Sequence, residues 1–169
     1  MNNSFDEIRQ LIDESKSIAI AGHISPDGDA VGSSCALAMA LIKKGKKVCL
    51  FLEEIQQKLK CIPYSEYAVY NDPKDEFDLF ISLDSGDEKR LGKLSELIKT
   101  TDTINIDHHV SNTYFGRMNF VDADASSTSE LIYRLLYGWG DLDQDIAYAL
   151  YAGIVFDTGC FKHPSTSPY

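Results

Sequence analysis

Acidic and histidine side chains cluster where apolar segments of the chain end. Three of these segments are predicted strands, at 17–21, 77–83 and 103–106, and the fourth is an apolar stretch at 153–156. The residues that follow them are His23, Asp27, Asp29, Asp84, Asp107, His108, His109 and Asp157. A single Asp after a strand is often a loop or cap residue. Several buried carboxylates together, however, cost free energy unless protons or cations compensate them. The set therefore predicts a metal site.

The ligand types narrow the choice of metal. Carboxylate oxygens with imidazole, and no cysteine among them, suit Mn²⁺, Mg²⁺ or Fe²⁺ better than structural Zn²⁺. The four cysteines show no zinc-ligand spacing. We expect a hard divalent cation.

The loop after the first predicted strand contains two of these carboxylates. Pro26 and Gly28 favour a tight turn in which Asp27 and Asp29 point at neighbouring ions, and Gly28 permits close approach to the backbone. The helix that follows, predicted at 30–44, would direct its N-terminal amides and its dipole at the same pocket, which favours a phosphate there. Capping by Asp29 is a second interpretation, and the two are compatible.

The adjacent histidines have different expected roles. At the end of a strand, His108 can ligate a metal while His109 faces a substrate. Asp107, directly before them, can orient an imidazole by a hydrogen bond.

Alternating strands and helices predict an α/β fold with parallel strands and a ligand site at their carboxyl ends. The predicted strands are 17–21, 47–52, 77–83 and 103–106, and the predicted helices are 4–16, 30–44, 88–99, 131–137 and 143–155, with a short helix near 55–60. Gly45 is the expected C-cap of the second helix, and Ser127 with Glu130 forms a predicted capping box. An aromatic-rich region is expected to pack in the core, with a homodimer or interdomain surface as the alternative; it comprises Tyr133, Tyr137, Trp139, Tyr148 and Tyr151.

Composition limits the class of protein. With 169 residues and 44% hydrophobic composition, the chain is expected to form one domain. The net charge of −10 argues against binding of duplex DNA or RNA, because phosphate contacts need clustered Lys and Arg. The absence of a signal segment, of a long apolar stretch and of cysteine pairs predicts a cytoplasmic protein without a membrane span.

The motifs that carry these residues resemble those of the DHH phosphoesterase superfamily, which is named for the motif that stands here as Asp107-His108-His109. They are AGHISPDGDAVGSS (21–34), LDSGD (83–87), IDHHVSN (106–112) and GIVFDTGCFKH (153–163), in the order typical of the family, and DADASSTSELIY (122–133) also fits. The resemblance covers nearly the whole chain. It implies a three-layer DHH domain whose mainly parallel central sheet is flanked by helices.

Within the superfamily, Val110-Ser111-Asn112 after the histidines is similar to the small bacterial oligoribonucleases that also dephosphorylate 3′-phosphoadenosine 5′-phosphate. The resemblance implies two divalent cations, with Mn²⁺ favoured over Mg²⁺, and in-line attack by a water held between them. The implied ligands are His23, Asp27 and Asp84 for the first cation, and Asp29, Asp84, His108 and Asp157 for the second. His109 would contact the scissile phosphate or support the leaving oxygen, and Asp107 would fix the histidines.

Two departures and several alternatives accompany this resemblance. Residues 1–169 correspond to the catalytic domain alone, so we expect the family's second, substrate-gripping domain to be absent after the polar run 163–169, and Lys162 stands where relatives often have Arg. A cyclic-dinucleotide phosphodiesterase, a single-strand exonuclease and a non-catalytic metal-binding domain remain alternatives. A Rossmann-type module is disfavoured because GHISPDGDAVG lacks the GxGxxG pattern.

Overall fold

The fold is built on one sheet of five parallel strands. The structure, a computed structural model, describes residues 1–71, 73, 75–140 and 142–166. The strands are β1 (Ser17–Ala21), β2 (Lys47–Phe51), β3 (Leu79–Leu83), β4 (Asp102–Asp107) and β5 (Met118–Val121), in the order β2-β1-β3-β4-β5. Every neighbouring pair is parallel. The predicted α/β class with a parallel sheet is confirmed.

Four α-helices bury their apolar faces in the larger core. They are α1 (Phe5–Glu14), α2 (Gly28–Lys43), α3 (Thr128–Leu136) and α4 (Gln144–Asp157). Ile18 and Ile20 of β1 share this core with Leu37 of α2 and Leu131 of α3, and all four are fully buried. The sheet therefore has one face covered by α-helices.

The segment 88–99 supplies the third layer, on the opposite face of the sheet. There Leu91 packs in a smaller core with Ala19 of β1 and Phe80 of β3. The segment was predicted as one helix, but it forms 3-10 turns interrupted at Gly92, whose φ is 56°. The prediction of a continuous helix is wrong because Gly92 adopts a left-handed conformation that breaks the hydrogen-bond ladder.

The sequence analysis does not predict β5. This strand has only four residues, and Asn119 interrupts its apolar pattern. The Asn119 side chain closes the turn before it, accepting from the amide of Gly116 at 3.0 Å and donating to the carbonyl of Gly116 at 2.7 Å. Near 55–60 the structure has one 3-10 turn, at Gln57–Leu59.

The starts of two helices differ from the predicted ones. Helix α2 begins at Gly28 and α3 at Thr128, each earlier than expected. Ser127 caps α3 as predicted, but the carboxylate of Glu130 accepts from the amide and hydroxyl of Ser126 instead of the amide of Ser127. The capping box is therefore incomplete. The C-cap of α2 is Lys44, and the predicted C-cap Gly45 follows it with a left-handed φ of 79°.

The aromatic-rich region is mostly exposed, so the prediction of core packing is wrong for its tyrosines. The exposed fractions are 43% for Tyr133, 68% for Tyr137, 49% for Tyr148 and 58% for Tyr151. Trp139 alone of the five packs against the larger core. The reason is that α3 and α4 bury other positions, which are Leu131, Ile132, Leu135, Ile146, Ala149 and Leu150.

Two further features bear on the class of protein. Among the described residues, no helix has the length and apolar character needed to cross a membrane. All four cysteines are free thiols. The polar run expected to mark a domain boundary, 163–169, continues past residue 166 and there lies outside the described residues.

Candidate metal centre

The loop after β1 presents His23 with one ring nitrogen fixed. His23 Nδ1 lies 2.7 Å from the carbonyl oxygen of Ile24, whose amide donates to the carbonyl of Arg90 at 2.7 Å. A ring that donates through Nδ1 leaves Nε2 to act as a metal ligand. Nε2 lies 3.8 Å from Asp27 Oδ2 and 3.6 Å from Asp84 Oδ2. Nε2 of this buried ring thus points between two carboxylates.

Asp27, and not Asp29, is the N-cap of α2. Its Oδ1 accepts from the amides of Asp29 and Ala30, at 2.9 and 3.1 Å. The N-terminal amides of the helix predicted at 30–44 were expected to face a phosphate, and that prediction is wrong for the amide of Ala30 because the Asp27 carboxylate already binds it. The cap uses only Oδ1, so Oδ2 remains directed at His23.

Asp84 follows β3 and lies between the two halves of the site. It is a non-glycine residue with a φ of 55°, and it is 2% exposed. Its Oδ2 faces His23, whereas its Oδ1 lies 3.7 Å from Nε2 of His108. The hydroxyl of Thr128 donates to the same Oδ1 at 3.1 Å. The two oxygens of one buried carboxylate therefore serve different neighbours.

A second cluster forms around Asp29, which is fully buried. Its oxygens accept from the first amides of α3, those of Thr128 at 2.6 Å and Ser129 at 2.8 Å. A carboxylate is favourable at a helix N-terminus, where unpaired amides and the dipole both attract negative charge. Beside it, Nε2 of His108 lies 3.0 Å from Oδ2 of Asp157, the last residue of α4.

Two glycines bring α2 and α4 close enough to place Asp29 beside Asp157. A Cβ at Gly28 would collide with the ring of Phe156. A Cβ at Gly153 would lie 2.9 Å from Oδ1 of Asp29. The sequence analysis expects Gly28 to allow a ligand near the backbone, but the structure places the Phe156 ring there.

Two histidines have raised pKa values because they face carboxylates. Burial alone would lower the pKa of His23, but hydrogen bonds to Asp27 and Asp84 outweigh it and raise the value to about 10. Burial also lowers the pKa of His108, but the hydrogen bond to Asp157 and the surrounding carboxylates raise it to about 9. The carboxylates therefore favour a positive charge at both rings, and a metal ion can supply that charge in place of the proton.

The carboxylates of Asp29, Asp84 and Asp157 lie close enough to repel one another. This repulsion shows whether the residues fit a cation. Burial raises the pKa of Asp29 well above its ordinary value, and the charges of Asp84 and Asp157 raise it further. A hydrogen bond from Ser129 acts in the opposite direction. A divalent cation among these oxygens would relieve the repulsion, so the donor set fits a hard metal.

The ring of His109 is held by a chain of hydrogen bonds. Its Nδ1 lies 2.7 Å from Oδ1 of Asp107, which is fully buried. Asp107 Oδ2 accepts from Nδ2 of Asn112 at 2.6 Å, and the same nitrogen contacts Oδ1 of Asn105 at 2.8 Å. The hydrogen bond that Nδ1 donates to Asp107 raises the pKa of His109. Since the His109 side chain is 36% exposed, the ring can meet a ligand while Asp107 only positions it.

Among the described residues, three groups hold ligand atoms within 4.8 Å of one another. They are His23–Asp27–Asp84, Asp29–His108–Asp157 and Asp84–His108–His109. The structure thus brings together all six residues predicted as metal ligands. It also brings His109 to the same cluster, although the sequence analysis gives His109 a substrate contact only. Lys162 is exposed in the turn after α4.

The sequence analysis misses the contribution of the start of α3. Thr128 contacts Asp84 through its hydroxyl and Asp29 through its amide. The spacing of Ser and Glu in the segment 126–130 predicts only a helix cap. The run of small hydroxyl residues, all buried, is the signal that it also faces a polar site.

Comparison with known proteins identifies similar chains. The sequence model of the DHH family, N-terminal domain, matches residues 17–154. The chain is 34% identical over 156 residues to the bifunctional oligoribonuclease and PAP phosphatase NrnA of Thermus thermophilus, covering 89% of this chain and 46% of that protein. With the Bacillus subtilis protein of the same name the identity is 32% over 166 residues, covering 95% of this chain and 52% of that protein.

A solved structure agrees with the fold. The exopolyphosphatase-related protein from Bacteroides fragilis superposes with a TM-score of 0.89 at 30% sequence identity, covering 97% of this chain and 52% of that chain. The chain therefore spans about half the length of the relatives it matches.

Proposed function

Because this chain belongs to the DHH family, we propose that it is the metal-binding catalytic domain, over residues 1–169, of a two-metal phosphoesterase. Its substrates are short oligoribonucleotides, 3′-phosphoadenosine 5′-phosphate, or both. Two relatives that carry these activities in their names support the assignment. So does the placement of the DHH motif itself at the end of β4.

The observation that carries the proposal is the position of Asp84 between two ligand groups. Its Oδ2 belongs with His23 and Asp27, and its Oδ1 lies on the side of His108. A carboxylate whose two oxygens face separate groups can bridge two cations. This arrangement suits the two-metal clamps that hydrolyse phosphate esters.

The ligands are assigned to two cations. His23, Asp27 and Asp84 would hold the first, and Asp29, Asp84, His108 and Asp157 would hold the second. Mn²⁺ is the favoured ion, with Mg²⁺ as the alternative, because the donors are oxygens and imidazoles without a thiolate.

The chemistry follows from these positions. Bound divalent cations lower the pKa of water and neutralise the non-bridging oxygens of a phosphate. His109, oriented through Nδ1 by Asp107, presents its other ring nitrogen to a phosphate oxygen. Asp107 stays behind the ring and does not touch substrate. Asp27 and Thr128 hold the helix starts and the carboxylates in place.

The overall charge agrees with a substrate recognised locally. At −10 the chain lacks the net positive charge with which broad surfaces bind duplex nucleic acid. The positive charge that a phosphate needs would come from the cations. With four free thiols, the cytoplasm is the compartment that we propose.

The test is Mn²⁺-dependent hydrolysis of an RNA dinucleotide and of 3′-phosphoadenosine 5′-phosphate, with metal stoichiometry measured on the same samples. We expect two bound ions and turnover. Asp84→Ala should abolish both the binding of the two ions and the turnover, because it deletes the carboxylate that faces His23 on one side and His108 on the other. The control is Asp6→Ala, which removes an exposed carboxylate of α1 whose side chain is 90% exposed and should change neither quantity.

Substrate panels separate the remaining alternatives. Preference for a cyclic dinucleotide, or for long single strands, would assign the chain to another activity of the same family. Two bound ions without turnover of any phosphodiester would favour the non-catalytic metal-binding domain. An Asp84→Ala variant that keeps both ions and full activity would overturn the whole assignment.

A further inference from the structure

A cavity of about 410 Å³ opens beside the candidate metal centre. Gly22 and His23 line it, together with residues from the end of β2 and from the segment 88–99. Because His23 belongs both to this cavity and to the group His23–Asp27–Asp84, the two sites are adjacent. A ligand whose phosphate lies at the metals can extend past His23 into this space.

We propose that this cavity, called here the base pocket and lined by Gly22, His23, Phe51, Glu53, Tyr70 and Leu94 among others, binds the nucleobase of the nucleotide whose phosphate lies at the metal centre. This inference rests on the proposed function and adds a substrate-specificity site to it.

The apolar lining suits a flat aromatic ligand. Phe51 is 3% exposed and Leu91 is 2% exposed, so both form a fixed floor, and Leu94 lies beside them. Tyr70 lines the same cavity, and 61% of its surface is exposed. Stacking on aromatic and apolar side chains is the general way in which proteins hold unpaired bases.

The polar lining selects the edge of the base. Glu53 is held by two hydrogen bonds, from the hydroxyl of Tyr70 to Oε1 at 2.7 Å and from the amide of Ser25 to Oε2 at 2.8 Å. A carboxylate has about four acceptor positions, so both oxygens can accept a further donor. The exocyclic amino groups of adenine, cytosine and guanine are such donors, whereas uracil lacks an amino group and offers only its ring N3–H. The base pocket therefore prefers an amino-bearing base.

Charge and size exclude other parts of a nucleotide. The lining carries one carboxylate, Glu53, and one ammonium, Lys93, so it does not attract a phosphate as two divalent cations at the metal centre would. Ligand pockets commonly measure about 300–1,000 Å³, so a cavity at the small end of that range fits one nucleoside and not a longer chain. The phosphate is therefore assigned to the metals and the base to this cavity.

A second groove, between α4 and the segment 58–62, serves as the internal comparison. It is lined by Tyr148 and Tyr151 with Ile62 and is mostly apolar. None of its lining residues belongs to a ligand group. Tyr151 is 58% exposed, close to the 61% of Tyr70, so the two tyrosines form a matched pair for substitution.

The test measures equilibrium binding in the presence of Mn²⁺ by titration calorimetry. The ligands are adenosine 5′-monophosphate, uridine 5′-monophosphate and ribose 5-phosphate, which has no base. We expect adenosine 5′-monophosphate to bind about tenfold or more tightly than ribose 5-phosphate, as stacking contacts of a base imply, and uridine 5′-monophosphate to lie between them. Tyr70→Ala and Leu94→Trp, which remove one wall or fill the space, should abolish the difference. Tyr151→Ala should preserve it.

The outcomes separate this inference from the proposed function. If adenosine 5′-monophosphate keeps its advantage and loses it in Tyr70→Ala, while no phosphodiester is hydrolysed, the base pocket stands and the enzymatic assignment fails. Equal affinity of the wild-type chain for adenosine 5′-monophosphate and ribose 5-phosphate overturns the base pocket whether or not hydrolysis occurs. The base pocket is also overturned if the affinity advantage of adenosine 5′-monophosphate over ribose 5-phosphate persists in both Tyr70→Ala and Leu94→Trp. It is overturned as well if that advantage disappears in Tyr151→Ala. Circular dichroism of each variant verifies the fold. Because Tyr70 is exposed, Tyr70→Ala should not disturb the hydrophobic core.

Discussion

The hydroxyl of Thr128 donates a hydrogen bond of 3.1 Å to Oδ1 of Asp84, on the oxygen that also faces His108. The amide of the same threonine donates to Asp29 at 2.6 Å. One residue at the start of α3 therefore contacts a carboxylate from each of two ligand groups. Its hydroxyl can be removed while its amide stays in place, which separates the two contacts.

The first prediction is that Thr128→Val weakens metal binding at the side of His108. Outer hydrogen bonds to metal ligands typically contribute about 10–100-fold in affinity, so we expect a loss of that size for one of the two cations. Isothermal titration with Mn²⁺ measures it. Thr128→Ser, which retains the hydroxyl, is the control and should bind nearly as the wild type does. Equal binding by the valine variant would show that this hydrogen bond does not orient Asp84.

A second prediction concerns Asp107, which holds His109 through a 2.7 Å contact and is absent from the three ligand groups. Asp107→Asn should leave two cations bound but lower the rate about 10–100-fold, as loss of an orienting partner commonly does. Because the hydrogen bond that His109 donates to Asp107 raises the pKa of His109, the variant should also lose activity at lower pH than the wild type on the basic side. Rate profiles against pH, with metal stoichiometry, measure both effects. Loss of the metals in this variant would instead assign Asp107 to the ligand framework.

Protons should leave the site when metal binds, which is the third prediction. The pKa of His23 is raised to about 10 and that of His108 to about 9, so both rings carry a proton near pH 7.5 in the metal-free protein. A cation needs the unprotonated nitrogen, so binding must release these protons and the affinity must rise as pH increases toward these values. Calorimetry in buffers of different ionisation enthalpy counts the protons. The same enthalpy in every buffer would mean that the histidines were already neutral or are not ligands.

The sequence predicts four of the five strands in the described residues, and the convergence of Asp and His side chains at strand ends, because both depend on local pattern. Apolar runs ending in Asp or His locate β1, β3 and β4, and parallel strands bring their carboxyl ends together. All six predicted ligand residues accordingly meet at one edge of the sheet.

What the sequence does not reveal depends on contacts between distant segments. The role of Thr128 rests on two carboxylates far away in the chain, and the small size of Gly28 serves the ring of Phe156. The tyrosines of α3 and α4 follow helical spacing, yet these helices bury their aliphatic residues and leave Tyr133 and Tyr151 exposed. Hydrophobic periodicity predicts an amphipathic helix. When aliphatic and aromatic residues lie on different faces, it does not predict which of the two faces packs in the core.

The last prediction tests the close packing that places Asp29. A Cβ at Gly153 would overlap the hydroxyl of Ser129 and lie 2.9 Å from Oδ1 of Asp29. Gly153→Ala should therefore destabilise the metal-free chain by about 1–3 kcal/mol, as overpacking of a close-packed interior does, and it should also weaken metal binding by displacing Asp29. Gly140→Ala is the matched control, because its Cβ would meet nothing nearer than 3.6 Å. Urea unfolding and Mn²⁺ titration measure the two effects. If Gly153→Ala is as stable as Gly140→Ala and binds metal normally, then α4 can move away from α2 without disturbing the carboxylate, and the close helix approach is not what positions Asp29.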